Sequence, residues 1–463
     1  MKTSVLLAKL IDIAQISKTD FALSLHISPS SLSKILTGSR LPNLKEKKAF
    51  SRQTAHHLSA AIYGYNCYMK FSAVFPVLYD FSSKYELEIF LTQAIDYSLD
   101  SDFASEISNG PNYIEESVTF HGTQKILNML CIIFSGRLIS SEEENLPLEL
   151  YTTLSLKKIH ADIFRRIKIG RFDVKDKPVV HHFSSIPKID NYFNTNQMDA
   201  FFFFIKLHQY ADINYWITRD SSLGAFLLLK NEFLMFFTLQ VDGTPFMTFI
   251  TNKGYIASFY NFLINQGAKK ISFDNEEALR ALEKNPRFFD SLLHKGIDSI
   301  YNFVSAGNFT QKEDLIRAAG SENGKALIGE IFQNITNGNI PYFVTMDAIV
   351  EFYYSGKSII PFIGAADIPP EDRISRISKY NEKFTYLNCE MPRILLLHSP
   401  GTTIAYTIDK DYRYEKIHVF KTDSIHNILS NNIKDNKSNI LAFSPELWAA
   451  YINKLSGGDH SFP

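Results

Sequence analysis

The chain has 463 residues, of which 45% are hydrophobic and 21% are charged, and its formal net charge is -1. This composition is typical of a globular protein with large cores, and the length indicates roughly two to three domains of about 150 residues each. The three cysteines lie far apart without CxxC spacing, which argues against structural zinc and favours a reducing, cytoplasmic compartment. No apolar run approaches the roughly 18 residues of a membrane span, so we expect no membrane partner.

Residues 16–42 have the spacing of two short helices that cross at a tight turn. The apolar positions on one face of each helix predict a shared core: Phe21, Ala22, Leu25, Leu32 and Ile35. Ser17 and Ser28 are positioned to cap the two helices. Pro29 follows as the first residue of the second helix, and Gly38 suits the left-handed residue that ends it. The outer face of the second helix is polar and fits a DNA major groove.

This stretch resembles the Cro/C1 (XRE) repressor family of helix-turn-helix domains, and the resemblance covers about the first 65 residues. It implies an all-α DNA-binding domain whose second motif helix enters the major groove of double-stranded DNA. The pattern and the resemblance together place these residues at the DNA surface: Lys18, Ser28, Pro29, Ser30, Ser31, Ser33, Lys34, Thr37, Ser39 and Arg40. Pro29 and Ser30 replace the amide side chains that often read bases in the family. We therefore expect base reading to be weak or to depend on DNA shape.

The charge of the N-terminal region agrees with this interpretation. Residues 1–60 contain nine lysines or arginines and three acidic residues, a net charge of +6 on a nearly neutral chain. A compact basic region suits phosphate neutralisation, because counterion release supplies most of the sequence-independent affinity for DNA. A solvated basic surface would show the same charge, so this observation alone does not distinguish the two.

Residues 66–171 are predicted to form an α-helical connector that assists dimerisation. Apolar residues recur at steps of three and four within 85–99, 124–134 and 148–167. In the third segment they form a stripe: Leu156, Ile159, Ile163 and Ile167. A stripe of this kind packs within one protomer or forms a dimer seam, and periodicity does not separate these alternatives.

From about residue 172 the pattern changes to short alternating or β-branched runs between turn signals, which predicts strands. Strands are expected at 178–183, 201–207, 213–218, 225–229, 233–241, 245–251, 270–273, 342–345, 394–398, 403–407, 418–420 and 440–443. Helices are expected at 256–266, 347–354, 424–429 and 445–455, with a further helical stretch over 275–337. The fold class is therefore multidomain, with a large mixed α/β (α+β) C-terminal module. Its parts, 172–295 and 296–463, are similar enough in element order to leave a structural duplication open.

No catalytic spacing is recognised in the sequence. Residues 356–358 read Gly-Lys-Ser, but the first glycine of a phosphate-binding loop would fall at Glu351. The HExxH and GxSxG spacings are absent, and the adjacent histidines at 56–57 and 181–182 are expected to point to different sides of their elements. We therefore predict no catalytic residues, no cofactor and no metal site.

The sequence thus predicts a cytoplasmic transcription regulator, a repressor by its resemblance, that binds DNA as a homodimer. Two small DNA-binding domains on half-sites one helical turn apart would strengthen each other's binding. The C-terminal module would act as an effector-binding domain for a small molecule or a protein partner. Two alternatives stay open: the C-terminal module is an enzyme that the first domain targets or regulates, or it is a protein-interaction platform.

Overall fold

The computed structural model describes residues 1–64, 68–107, 117–144, 148–153, 167–169, 178–184, 208, 211–218, 223–274, 277–278, 280, 296–305, 314, 340–360, 364–378, 384–389, 391, 393–408, 411–412, 414–435 and 437–457. The chain divides into two compact units, one of Met1–Pro178 with Ser222–Leu263 and one of Val179–Ser221 with Ile264–Pro463. Both units contain helices and strands, which confirms a multidomain, mixed α/β protein with a helical N-terminal region. The domain boundaries expected near residues 65, 171 and 295 stay predictions.

The helices are α1 Thr3–Ala14, α2 Lys18–Ser24, α3 Pro29–Leu36, α4 Lys47–Gly64, α5 Tyr68–Phe71, α6 Lys84–Ile107, α7 Thr123–Glu144, α8 Lys253–Asn265, α9 Met346–Ser355, α10 Pro370–Ile377, α11 Ser424–Asp435 and α12 Pro445–Ser456. The strands are β1 Val77–Tyr79, β2 Ser117–His121, β3 Glu149–Thr152, β4 Ile167–Ile169, β5 Val179–Ser184, β6 Asp212–Ile217, β7 Ala225–Leu229, β8 Phe233–Leu239, β9 Pro245–Ile250, β10 Lys269–Lys270, β11 Ser272–Phe273, β12 Ser299–Asn302, β13 Tyr342–Thr345, β14 Lys357–Ile360, β15 Gly364–Asp367, β16 Phe384–Leu387, β17 Ile394–Ser399, β18 Thr402–Ile408, β19 Tyr414–Phe420 and β20 Ile440–Leu441. Two short 3-10 helices span Leu44–Glu46 and Lys437–Asn439.

The N-terminal helices of the first unit share one apolar core with α6. Each helix turns one face inward because its apolar residues recur at helical spacing. The buried residues include Leu7, Leu10, Phe21, Ala22, Leu25, Leu32, Ile35, Leu58, Leu87, Leu91 and Ile95. The core positions predicted for the two short helices are therefore confirmed. The core continues beyond α4 into α6, so the N-terminal helices are packed against a helix that follows the predicted DNA-binding domain.

The first unit also contains an antiparallel set of strands in the order β3-β7-β8-β9-β2. Alternate residues of β8 and β9 face the core, as the period of two in their sequences predicts. The tight connection between β8 and β9 contains Gly243 with φ 82, which agrees with the turn signal there.

The second unit contains a mixed sheet in the order β11-β19-β18-β17-β12-β13-β16-β20. Strand β13 runs parallel to both β12 and β16, whereas the hairpins β17–β18 and β18–β19 are antiparallel. Leu395 and Leu397 of β17 belong to the core that contains Trp448 of α12, and Leu396 belongs to the core that contains Ile425 of α11. Both faces of the sheet are thus covered, which explains why the first four residues of β17, 394–397, are all apolar.

The helix expected at 148–167 is wrong where the structure describes it. Residues Glu149–Thr152 form β3, and Ile167–Ile169 form β4. Short apolar runs do not separate helix from strand by periodicity, and pairing of Leu150 with Leu229 of β7 selects the extended form. The stripe residues Leu156, Ile159 and Ile163 lie outside the described residues.

A second correction concerns the helical stretch expected over 275–337. Within it, Ser299–Asn302 form the buried strand β12 between β13 and β17. A strand this short carries too few residues for a period-two signal, so only its neighbours reveal it. The strand expected at 270–273 is divided into β10 and β11, which pair with β6 and β19 respectively. The strand expected at 201–207 lies outside the described residues.

Candidate nucleic-acid interface

The first helix of the predicted motif, α2, begins at Lys18, whose side chain is exposed. The Ser17 Oγ accepts a hydrogen bond from the Asp20 amide at 3.1 Å and donates one to the Asp20 carboxylate at 2.6 Å. These contacts satisfy one of the amide groups that a helix leaves free at its start. The predicted cap is confirmed.

A tight turn between α2 and α3 sets their crossing. His26 has φ 55, a left-handed conformation that is uncommon for a residue other than glycine. Its amide donates to the Leu23 carbonyl, and the Ile27 amide donates to the Ala22 carbonyl, each at 3.0 Å. The chain thereby reverses in the space that the small, fully buried Ala22 leaves open. The sequence carries no glycine signal for this left-handed residue.

The start of α3 is fixed by Ser28 and Pro29. The Ser28 Oγ accepts a hydrogen bond from the Ser31 amide at 3.1 Å, and its hydroxyl donates to the Ser31 Oγ at 3.0 Å. Pro29 occupies the first turn, where its missing amide proton costs nothing. Leu32 and Ile35 face the core and Leu36 packs partly against it, so the remaining positions of the helix face outward.

Beyond Pro29 in the first turn, the outward face of α3 carries polar side chains. Ser30, Ser33 and Lys34 are exposed, and Ser31 is half-buried. Arg40, in the segment after the helix, is also exposed, and its amide donates to the Lys34 carbonyl at 3.3 Å. We call these five residues the α3 surface.

The segment after α3 is held by its own hydrogen bonds. The Lys34 carbonyl accepts hydrogen bonds from the hydroxyls of Thr37 and Ser39, each at 3.1 Å, and from the Ser39 amide at 3.0 Å. Gly38 adopts φ 72, as predicted, and a Cβ there would lie 3.3 Å from the Ser4 Oγ. Thr37 and Ser39 therefore use their hydroxyls to shape the segment. Arg40 is the cationic side chain of this segment.

The electrostatics of the α3 surface follow from its exposed cations. Neither Lys34 nor Arg40 has an ion-pair partner among the residues that the structure describes. Lys47 differs, because its ammonium lies 2.5 Å from Asp100 and 3.2 Å from Asp96 of α6. The net charge of the N-terminal region thus overstates the charge available to an anion. The partners of Lys47 are distant in sequence and were not predictable from it.

Other candidate features of the sequence have structural explanations. Gly356 ends α9 with φ 67, Lys357 pairs with Asp367 at 2.5 Å, and Ser358 is buried in β14. This order of helix and then strand is the reverse of what a phosphate-binding loop requires. Trp216 contacts His181 and Tyr215 contacts His182, so the paired histidines do face opposite sides of β5.

Metal sites and membrane-spanning helices are the remaining classes of feature. Of the histidine, cysteine and acidic side chains in the described part of the chain, no three lie together in a way that could hold a metal ion. Within the described ranges, no helix combines the length and the hydropathy that crossing a bilayer requires.

Comparison with known proteins identifies no family. No family model matches the chain, and no curated protein matches it either. One similar solved structure is that of TrmBL2, described as an archaeal chromatin protein with a novel mode of DNA binding, with 10% identity and a TM-score of 0.20 over 47% of this chain and 88% of that chain. Another is polyphosphate kinase from Porphyromonas gingivalis, with 10% identity and a TM-score of 0.22 over 77% of this chain and 58% of that chain. At these scores neither similarity supports an argument about function.

Proposed function

We propose that this protein binds double-stranded DNA through the α3 surface and acts as a transcription regulator of the helix-turn-helix type. The observation that supports the proposal is a capped helix whose outward face is polar beyond Pro29, with one exposed cation on the helix and another in the segment after it. An α-helix of this kind fits the major groove, where hydroxyl and ammonium groups can donate hydrogen bonds to base edges. The resemblance of residues 16–42 to the Cro/C1 repressors points to the same use.

The two cations would have different roles in this complex. Lys34 lies on α3 itself and would donate to base edges, whereas Arg40 lies beyond the helix and would contact phosphates. Because neither side chain has a described ion-pair partner, binding DNA requires no existing ion pair to be broken there. Ser28 and Pro29 would set the depth of α3 in the groove by fixing its first turn.

We also propose that the protein acts as a homodimer and that its second unit senses an effector rather than catalysing a reaction. A single helix of eight residues presents a small surface, so two copies on adjacent half-sites would gain affinity through effective concentration. The effector would be a small molecule or a protein partner that shifts the spacing or orientation of the two α3 surfaces.

The full chain should be tested for binding to a library of random duplexes, with fluorescence anisotropy to measure affinity and repeated selection to find an operator. We expect binding that weakens steeply with salt, because counterions are released from phosphates. Selection should enrich a site with two-fold symmetry and a half-site spacing near one helical turn. Absence of salt-sensitive binding to any duplex would contradict the proposal.

A further inference from the structure

We propose that three carboxylates of α6, those of Asp96, Asp100 and Asp102, are positioning residues for DNA binding. They hold α1 and α4, and through these helices the α3 surface, in the orientation that meets the duplex. We refer to them below as the α6 carboxylates. The inference rests on the proposed function, and it adds a determinant of binding outside the helix-turn-helix stretch.

The first contact is at the beginning of α1. This helix has no side-chain cap of its own, because Lys2 occupies the capping position. Instead, the Thr3 amide donates to the Asp102 carboxylate at 2.8 Å. Ser98 of α6 donates in turn to the Met1 carbonyl at 2.9 Å. A helix that follows almost a hundred residues later therefore caps α1, at the end where a negative charge is also favoured by the helix dipole.

The second contact is at the beginning of α4. The Lys47 ammonium lies 3.2 Å from the Asp96 carboxylate and 2.5 Å from that of Asp100. The Lys47 side chain is 12% exposed, that of Asp96 33% and that of Asp100 62%, so water screens the contact with Asp96 less than the contact with Asp100. The Ser51 hydroxyl, which is fully buried, donates to Asp96 at 3.3 Å. These contacts fix both the position and the rotation of the first turns of α4.

One anchored helix, α1, packs against α3 directly, and the other, α4, is connected to α3 through α1. Helix α3 packs against α1 and α2, and α1 packs against α4 within the same core. Lys47 also follows the segment that contains Arg40, so its anchoring limits the movement of that segment. A change at the α6 carboxylates would therefore reach both ends of the α3 surface through packed elements of the first unit.

The charge of these residues makes the inference sharply testable. A carboxylate near a DNA-binding surface repels phosphates, so removing one should strengthen binding if electrostatics alone acts. A positioning role predicts the opposite, because the neutral side chain no longer holds α1 or α4. The two explanations thus differ in the sign of the effect.

The first experiment measures duplex binding of the full chain with Asp96→Asn and Asp100→Asn combined. We expect affinity about tenfold lower than that of the parent, as coupled contacts of this kind allow. The matched control is Asp12→Asn, since Asp12 is an exposed residue of α1 whose carboxylate contacts no other described side chain or amide. It should bind within about twofold of the parent, or slightly more tightly. If the combined Asp96→Asn and Asp100→Asn variant binds the duplex as tightly as the parent or more tightly, the inference is overturned.

A charge exchange separates positioning from electrostatics. Asp100→Lys raises the net charge beside Lys47 by two, and we expect it to weaken DNA binding despite the added charge. Combining it with Lys47→Glu restores an ion pair and returns the net charge to that of the parent. Positioning predicts that the double variant binds more tightly than Asp100→Lys alone, whereas electrostatics predicts that it binds more weakly. Circular dichroism melts of each variant measure whether its helices remain folded.

The outcomes distinguish this inference from the proposed function. If the parent chain binds no duplex, the proposed function fails. If the parent binds and the Lys34→Ala variant is impaired while the α6 variants bind as well as the parent, only the positioning role is overturned.

Discussion

The Ser28 hydroxyl oxygen accepts a hydrogen bond from the Ser31 amide at 3.1 Å, and this contact defines where α3 begins. The same hydroxyl donates to the Ser31 Oγ, so both side chains are ordered before any ligand binds. Pre-ordering of this kind lowers the entropic cost of placing a helix in a groove.

Replacing the cap, Ser28→Ala, should lower the free energy of unfolding of the first unit by about 1 kcal/mol and weaken DNA binding as well. The reason is that the Ser31 amide loses its acceptor and the first turn of α3 frays. Urea unfolding followed by far-ultraviolet circular dichroism measures the stability. Ser33→Ala is the control, because Ser33 is an exposed serine of the same helix without a described side-chain hydrogen bond. A Ser28 variant as stable as the Ser33 variant would contradict the capping role.

The cations of the α3 surface should affect DNA binding in different ways. Lys34→Ala should cost roughly 1–3 kcal/mol on the selected site and much less on unrelated duplexes, if Lys34 contacts a base edge. Arg40→Ala should weaken binding to all duplexes and reduce the slope of log affinity against log salt by about one. Anisotropy titrations at several salt concentrations measure both effects.

The control for these variants is Lys253→Ala, which removes an exposed lysine at the start of α8. It lowers the net charge equally but lies outside the N-terminal helices, so its effect should be small. Should all three variants bind alike, the assignment of the groove-facing surface would be wrong.

Gly356→Ala should destabilise the second unit by roughly 1–3 kcal/mol. Gly356 has φ 67, and its missing Cβ leaves room for the guanidinium of Arg373. That guanidinium donates hydrogen bonds to the carbonyls of Tyr353 at 3.0 Å and Tyr354 at 2.7 Å. Both carbonyls belong to the last turn of α9. An alanine would need an unfavourable φ and would displace Arg373 from these carbonyls.

Tryptophan fluorescence during urea unfolding measures this effect, because both tryptophans, Trp216 and Trp448, belong to the second unit. Gly401→Ala serves as the control, since Gly401 lies in the same unit and has φ 76, but a Cβ there meets no atom within 4 Å. It should lose stability only through its unfavourable φ, and therefore less than Gly356→Ala. Equal midpoints for the two glycine variants would argue against the steric role of Gly356.

The second unit should lose stability as the pH falls from about 6.5 to about 4. Burial and the neighbouring His426 lower the pKa of His398 to about 4, and burial also lowers the pKa values of His418 and His426. In this range the unfolded chain binds more protons than the folded one, so the stability present above pH 6.5 is lost as these histidines are protonated. His398 alone should contribute on the order of 2 kcal/mol.

The variant His398→Asn tests this assignment because it removes the titrating ring while keeping a polar side chain beside Thr403, whose Oγ1 lies 3.2 Å from the His398 Nδ1. Between pH 7 and pH 4 the midpoint temperature of thermal unfolding should fall less steeply with decreasing pH for the variant than for the parent. The reason is that the variant takes up fewer protons on unfolding, by up to about one. A parent chain whose midpoint is flat over this range would contradict the prediction.

Local patterns in the sequence determined much of the N-terminal region. The caps Ser17 and Ser28, the left-handed Gly38 and the buried faces of α2 and α3 all follow from interactions within a few residues, and all are present. The hairpin strands β7 and β17 and the helix α9 also lie where short apolar runs and helical spacing predicted them. Such features are readable because their physical causes are local.

Tertiary structure alone decided the features that depend on distant residues. Glu149–Thr152 became a strand because β7 offers a pairing edge, and Ser299–Asn302 became one between β13 and β17. By sequence, Lys47 is one of the basic residues of the N-terminal region. Only the fold places its ammonium beside the carboxylates of Asp96 and Asp100. No sequence spacing encodes such a contact, since it arises only when α4 and α6 bury their apolar faces together. The sequence therefore determined the capped helix that we propose meets DNA, and the fold decided which carboxylates contact the helices packed with it.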